Sequence, residues 1–278
     1  MPASLSIARA SLHMWEEPCI SGDKGSGTVF FTGCSLGCVF CQNHNISDGS
    51  IGIEITVEEL SQIFLRLQEM GALNINLVTP THYAPDIAES LKLARKNGLT
   101  IPIVYNTSGY EHVSTLKLLD GLIDIYLPDF KYVDSTLSAR YSKAADYFEV
   151  AKPALLEMYR QVGPVRFDDN GIMTKGMIVR HLILPSCTTD SKAVIKYLYE
   201  TYGDNIFMSI MSQFTPLENL EKYPEINRKI TDEEYDDVVN YAIDLGVENA
   251  FVQDGEAAKE SFIPDFESFD LQKFLNQF

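Results

Sequence analysis

Three of the five cysteines fall within eight residues, with Cys34, Cys38 and Cys41 in the spacing C-x3-C-x2-C. Thiolates this close repel one another unless a cation or cluster neutralises them, and a soft sulfur set selects zinc or iron–sulfur over harder metals. Two constructions fit. With His44, three residues after Cys41, the set becomes a Cys3His zinc site of structural type. Alone, the three cysteines ligate three irons of a [4Fe-4S] cluster that ordinarily takes four, leaving one iron open to an outside ligand. An open coordination position is what a catalytic metal needs. Cys19 and Cys187 read as ordinary small apolar residues.

These cysteines need a scaffold, and the chain supplies alternating strand and helix signals. Strands are expected at Thr28 to Thr32, Asn74 to Thr79, Ile101 to Tyr105, Ile123 to Leu127, Met177 to Leu184, Ile206 to Met211 and Ala250 to Gln253. Between them, Leu60, Ile63, Phe64 and Leu67 follow the spacing of one helix face, opened by a capping box at Thr56 and Glu59 and closed at Gly71. Thr231 with Glu234 repeats the device. Thr136 to Val162 reads as one or two helices interrupted near Pro153.

Short buried strands alternating with helices imply βα units around a parallel sheet. The expected fold class is therefore α/β, a partial or complete parallel (β/α) barrel of about six βα units, with an open doubly wound sheet as the alternative. Either architecture puts reactive groups at the carboxyl ends of strands, which is where the first strand delivers Cys34. One domain is expected, with an N-terminal extension over 1–26, a barrel core over 27–255 and a C-terminal extension over 256–278.

The chain's 278 residues suffice for a large core without disulfides, since a chain of this size buries roughly 75% of its unfolded surface. Lys and Arg number 22 against 39 Asp and Glu, giving a net charge of −17. That field opposes a phosphate backbone, so no nucleic-acid partner is expected. No apolar stretch approaches the roughly 18 residues of a membrane span, and the first residues lack the apolar region of a signal peptide. A cytoplasmic protein with no membrane partner is the expectation.

The cysteine spacing, with the aromatic Phe40 before the last cysteine and the position after the first strand, resembles the radical S-adenosylmethionine (SAM) superfamily. The resemblance is closest to the activating enzymes of pyruvate formate-lyase and their relatives. Cys41, Gln42 and Asn43 resemble that group's Cys-x-Asn extension, and the run from Trp15 to Phe31 looks like the lead-in of an offshoot; the resemblance offers Cys19 and Cys187 as thiols that give a hydrogen atom to a substrate radical, with Cys19 the better placed. The resemblance implies a [4Fe-4S] cluster whose free iron is chelated by the methionine moiety of SAM. It implies reductive cleavage to a 5′-deoxyadenosyl radical that abstracts hydrogen from a substrate, with a flavodoxin or ferredoxin as electron donor. The substrate is a glycyl-radical enzyme or other protein, or a small molecule or peptide.

The resemblance also assigns positions beyond the cysteines. Thr79, Pro80, Thr81, His82 and Tyr83 stand where the family has a glycine-rich strand end that meets the amino group of SAM through backbone carbonyls. Asn106 and Ser108 match the third strand ending, where a small polar residue meets ribose or carboxylate; Asn106 alternatively only makes the turn. Asp129 with Lys131 is similar to a fourth-strand Asp-x-Lys, with an exposed ion pair as the alternative. Arg180 matches a Val-Arg strand, where burial without a carboxylate partner would be costly. Gln213 falls where the family often has a polar residue near the cofactor. His82 and Tyr83 follow a strand end and are candidates for substrate contact or proton transfer, or for a packed loop.

Overall fold

The computed structural model describes residues 4–217, 220–252, 266 and 268–276. Ten strands are found among them: β1 (Ser6–His13), β2 (Ser26–Phe31), β3 (Ile53–Glu54), β4 (Ile75–Val78), β5 (Ile103–Thr107), β6 (Ile125–Pro128), β7 (Arg166–Phe167), β8 (Met173–Leu182), β9 (Phe207–Met211) and β10 (Ala250–Val252). The helices that interleave with them are α1 (Pro18–Ser21), α2 (His44–Ser47), α3 (Val57–Glu69), α4 (Ala84–Lys96), α5 (Val113–Lys117), α6 (Ser135–Ser142), α7 (Tyr147–Val162), α8 (Thr188–Tyr202), α9 (Asp232–Leu245) and α10 (Leu271–Leu275). No helix among the described residues is long and apolar enough to cross a membrane.

The sheet runs in the order β10-β9-β8-β6-β5-β4-β2-β1-β3, and every pair from β10 to β2 is parallel. This is the expected partial parallel barrel, with its strands covered on both faces. Outward residues such as Val29, Leu77, Tyr105, Tyr126 and Val179 join the main core under the helices, while Val104, Ile125, Leu127 and Ile178 form a second cluster with Cys19 and Ile20. Two-sided burial explains why β4 reads as the unbroken apolar run of Ile75 to Val78 apart from Asn76.

Both capping boxes form as the sequence predicts, the Glu59 amide donating to Thr56 Oγ1 at 3.1 Å and the Thr56 amide to Glu59 Oε2 at 2.8 Å. The interruption expected at Pro153 lies elsewhere. α6 ends on Lys143 in the left-handed region (φ 56), and α7 continues through Pro153. A proline there removes one backbone donor, which the apolar contacts of Ala151, Ala154 and Leu155 outweigh.

Residues 4–26 are not peripheral. β1 pairs antiparallel with β2, and the chain then turns inward so that α1 packs Cys19 and Ile20 against the inner faces of β5, β6 and β8. The segment plugs the barrel because its apolar pair finds more contact there than on a surface. At the other end, α10 packs against α3 and Phe266 meets Phe30 at 5.3 Å. Gln253 and the boundary expected at 255/256 lie outside the described residues.

Candidate active site

The Cys34 loop leaves β2 and docks on the end of α6. The Val39 amide donates to the Tyr141 carbonyl at 2.8 Å, and Cys38 Sγ lies 3.0 Å from Ser142 Oγ, itself 2.9 Å from the Tyr132 hydroxyl. The Leu36 amide donates to Cys34 Sγ at 3.4 Å. These contacts point the three cysteines into one cavity of about 290 Å³ at the carboxyl ends of the strands. Burial pushes the Cys34 thiol up, and burial together with the charges of Cys38 and Cys34 pushes Cys41 up to about 12. Burial therefore disfavours the free thiolates, and a cationic centre held between them would favour them.

His44 is exposed on α2 and does not line the cavity. Among the described residues no three His, Cys, Asp or Glu side chains converge as ligands of one ion. For the Cys3His zinc arrangement His44 would have to turn in from α2, whereas an iron–sulfur cube would present a separate iron to each thiolate.

Opposite the cysteines, successive strand ends bring polar side chains to one level. The Thr79 amide donates to the Asn106 carbonyl at 2.9 Å, the Asp129 amide to the Thr107 carbonyl at 2.8 Å, and the Phe130 amide to the Arg180 carbonyl at 2.8 Å. Gly109 allows this convergence: it sits at φ 75, and a side chain there would collide with the Asp129 carbonyl. Lys131 Nζ lies 2.6 Å from Asp129 Oδ2, Arg180 Nε donates to Asp129 Oδ1 at 3.1 Å, and Arg180 Nη2 donates to Asn106 Oδ1 at 2.6 Å. Burial works against the charges of Lys131 and Arg180, but Asp129 together with Cys38 and Tyr147 at Lys131, and with Glu17 and Glu16 at Arg180, outweighs it, and both are held in their charged forms. Burial likewise opposes ionised Asp129, yet Lys131 and Arg180 hold its carboxyl below the ordinary value.

Every position assigned to the cofactor lines this cavity: Phe40, Asn43, Thr79, Asn106, Ser108, Asp129, Lys131, Arg180 and Gln213. Thr79 has φ 59, a left-handed conformation that a β-branched residue adopts only under constraint. The glycine-rich segment of the resembled family would take that conformation freely. Here the ladder bond from Thr79 to Asn106 holds a threonine in it.

The three residues assigned to catalysis lie elsewhere. A 3-10 turn over Thr81–Tyr83 swings His82 and Tyr83 away from the cavity; His82 Nε2 bonds the Thr32 carbonyl at 2.7 Å and Tyr83 packs on Phe31. Cys19 is buried in the barrel floor, where burial and the Glu17 charge push its thiol up to about 12. None of the three lines the cavity.

Other residues of the site carry no sequence signal. The buried Tyr147 hydroxyl accepts from the Lys131 amide at 3.0 Å and lies 2.8 Å and 3.0 Å from the Ser108 and Asp129 carbonyls, tying the loops after β5 and β6 together. Glu16 reaches the cavity from the plug, and its Oε2 lies 3.4 Å from Arg180 Nη1. Beside it Glu17 has an unpartnered buried Oε2, and burial, with Glu16 adding to it against Arg180, raises its pKa. Glu16, Arg180, Asp129 and Lys131 form an alternating row of acids and bases, in which burial raises the Glu16 pKa against Arg180.

A family model described as the radical SAM superfamily matches residues 28–165. Members of that superfamily use a [4Fe-4S] cluster and SAM. The chain is 31% identical over 243 residues to an uncharacterised protein of Methanocaldococcus jannaschii, covering 83% of this chain and 65% of that protein. It is 26% identical over 179 residues to the pyruvate formate-lyase-activating enzyme of Clostridium pasteurianum, covering 61% of this chain and 66% of that enzyme. The chain therefore spans just under two thirds of the length of the curated relatives it matches. In fold it is similar to Streptococcus suis SuiB, solved with the precursor peptide SuiA, at a TM-score of 0.52 and 16% identity over 79% of this chain and 46% of that one.

Proposed function

Because this chain belongs to the radical S-adenosylmethionine superfamily, we propose that it is an enzyme that cleaves SAM reductively and removes a hydrogen atom from a C–H bond of a partner protein. The observation that carries this reading is the single cavity shared by three cysteines and the strand-end row of Asn106, Asp129, Lys131 and Arg180. A bound [4Fe-4S] cluster and SAM supply the one-electron chemistry and the 5′-deoxyadenosyl radical.

The chain's own residues bind, orient and shield. Cys34, Cys38 and Cys41 would hold the cluster, and three ligands for four irons would leave it open to the amino-acid end of SAM. Lys131 and Arg180, kept cationic by Asp129, offer charged donors to its carboxylate. Phe40, Leu36, Leu182 and Met211 line the cavity with apolar surface and limit water around a reactive radical. A glycyl-radical enzyme is the proposed partner, on the strength of the relation to the Clostridium activating enzyme. Flavodoxin or ferredoxin is the proposed reductant, and the cytoplasm the proposed compartment.

The test is anaerobic. Reconstituted protein given dithionite and SAM should release 5′-deoxyadenosine and methionine slowly without substrate and faster with the true partner, whose binding aligns the reacting carbon. Cys41→Ala should take up no cluster and release neither product. A reconstituted, reduced protein that binds SAM yet yields no 5′-deoxyadenosine would overturn the proposal.

A further inference from the structure

The plug does more than fill the barrel. Glu16 Oε1 accepts from Asn76 Nδ2 at 2.9 Å and from Asn106 Nδ2 at 3.5 Å, while Oε2 faces Arg180 Nη1 at 3.4 Å. Asn106 turns its Oδ1 to Arg180 and its amide nitrogen to Glu16, so the carboxylate and the guanidinium together decide which way that amide points. Glu16 is fixed from below: its amide donates to Ser21 Oγ at 3.0 Å, and Asn74 Nδ2 donates to the Ile20 carbonyl at 2.8 Å. Three strands, β4, β5 and β8, thus present site residues to one carboxylate that comes from none of them. Glu16 lies outside the stretch matched by the family model, 28–165.

We infer that Glu16 is a positioning residue of the SAM site, setting the amide of Asn106 and the guanidinium of Arg180 toward the ligand. The inference rests on the reading that this cavity takes SAM. Without Glu16, Asn106 is free to flip and Arg180 Nη1 loses its acceptor, so Arg180 collapses onto Asp129 and competes with Lys131. The carboxylate also contributes charge: SAM carries one net positive charge, whereas S-adenosylhomocysteine, without the sulfonium, carries none. A charge effect acts on the first ligand only; a positioning effect acts on both.

The chain provides its own probe, since Trp15 is its single tryptophan and lines the cavity beside Glu16. Binding of SAM and of S-adenosylhomocysteine to the reconstituted protein is followed by Trp15 fluorescence, with iron and sulfide content measured in each variant. Glu16→Gln should weaken both ligands at least about tenfold, the range of a lost charged hydrogen bond. In an Arg180→Met background the same change should add less than about twofold, because the two residues act as one unit. Glu16→Asp keeps the charge but falls short of Asn106 and Arg180 together, and it too should weaken both ligands. Loss confined to SAM, additive losses in the double variant, or native affinity in Glu16→Asp would each overturn the inference. If the native, cluster-loaded chain binds neither ligand, the SAM reading itself falls.

Discussion

The cysteine loop and the plug meet at one cavity, yet they are built by opposite means. The loop, from Gly33 to Asn43, carries its chemistry in local spacing, and backbone bonds to α6 hold it. The plug, from Met14 to Ser21, has no metal-ligand spacing and is held by apolar contact with residues from β5, β6 and β8 and by hydrogen bonds of Glu16 and Ile20 to Asn74, Asn76, Asn106 and Arg180. A loop set by spacing can be exchanged between scaffolds; a plug set by packing belongs to one interior. The rim of the site is therefore the general part of this molecule and the floor the particular part.

Cutting into the floor tests that division most severely. Ile20 is fully buried among Val104, Ile125, Leu127 and Ile178, so Ile20→Ala should destabilise the fold by about 2–5 kcal/mol. Urea denaturation of the apoprotein reads the loss, and iron uptake below the transition should stay at the native level. If iron uptake is lost while the barrel stays folded, rim and floor are not separable.

A second division lies between ionised and neutral buried carboxyls. Glu111 accepts from Thr81 Oγ1 at 2.6 Å and from Thr107, faces Tyr105, and has no cationic partner among the described residues; burial pushes its pKa up to about 7 against these hydrogen bonds. A raised carboxyl pKa means that the folded state binds the proton more tightly than the unfolded chain. Its stabilising effect is therefore full below about pH 4.5 and is lost as pH rises through about 7, on the order of 3 kcal/mol in all. Unfolding free energies of the native chain and Glu111→Gln, compared at pH 5 and pH 8, should show the extra decline only in the native chain. Parallel profiles would mean that Glu111 has an unseen cation.

The smallest expected effect sharpens the account of the rim. Thr79→Gly relieves the left-handed strain and should stabilise the fold by about 1 kcal/mol, less the entropy of a freer unfolded chain. A destabilised variant would show that the threonine side chain contributes more than its conformation takes away.

What the sequence disclosed follows the same division. Cys34, Cys38 and Cys41 stand out by spacing, whereas Asn106, Asp129, Lys131 and Arg180 stand out only through their resemblance to a family's strand ends, where a parallel sheet delivers side chains to one level. The strands themselves were legible because two-sided burial writes unbroken apolar runs. Glu16 was not legible, since its partners Asn106 and Arg180 lie 90 and 164 residues away and nothing local distinguishes it from a solvated acid. Tyr147 and Ser142 act through hydroxyls on helices whose periodicity reports only their packing. His82 and Tyr83 misled for a local reason: a strand end predicts residues that face the cavity, and the single 3-10 turn after β4 rotates them out of it.

The plug also orders events in time. Ile20 leaves the ribosome 158 residues ahead of Ile178, the last of its cluster's strand partners in β8. At about 5–20 residues per second, its apolar face waits roughly 8–30 seconds for the wall that finally covers it. Over that interval β1 and β2 are available as an antiparallel pair, which needs no later strand. Ribosome-bound intermediates of this chain are thus expected to carry an early hairpin with an uncovered α1, and the arrival of β8 is the step that buries it.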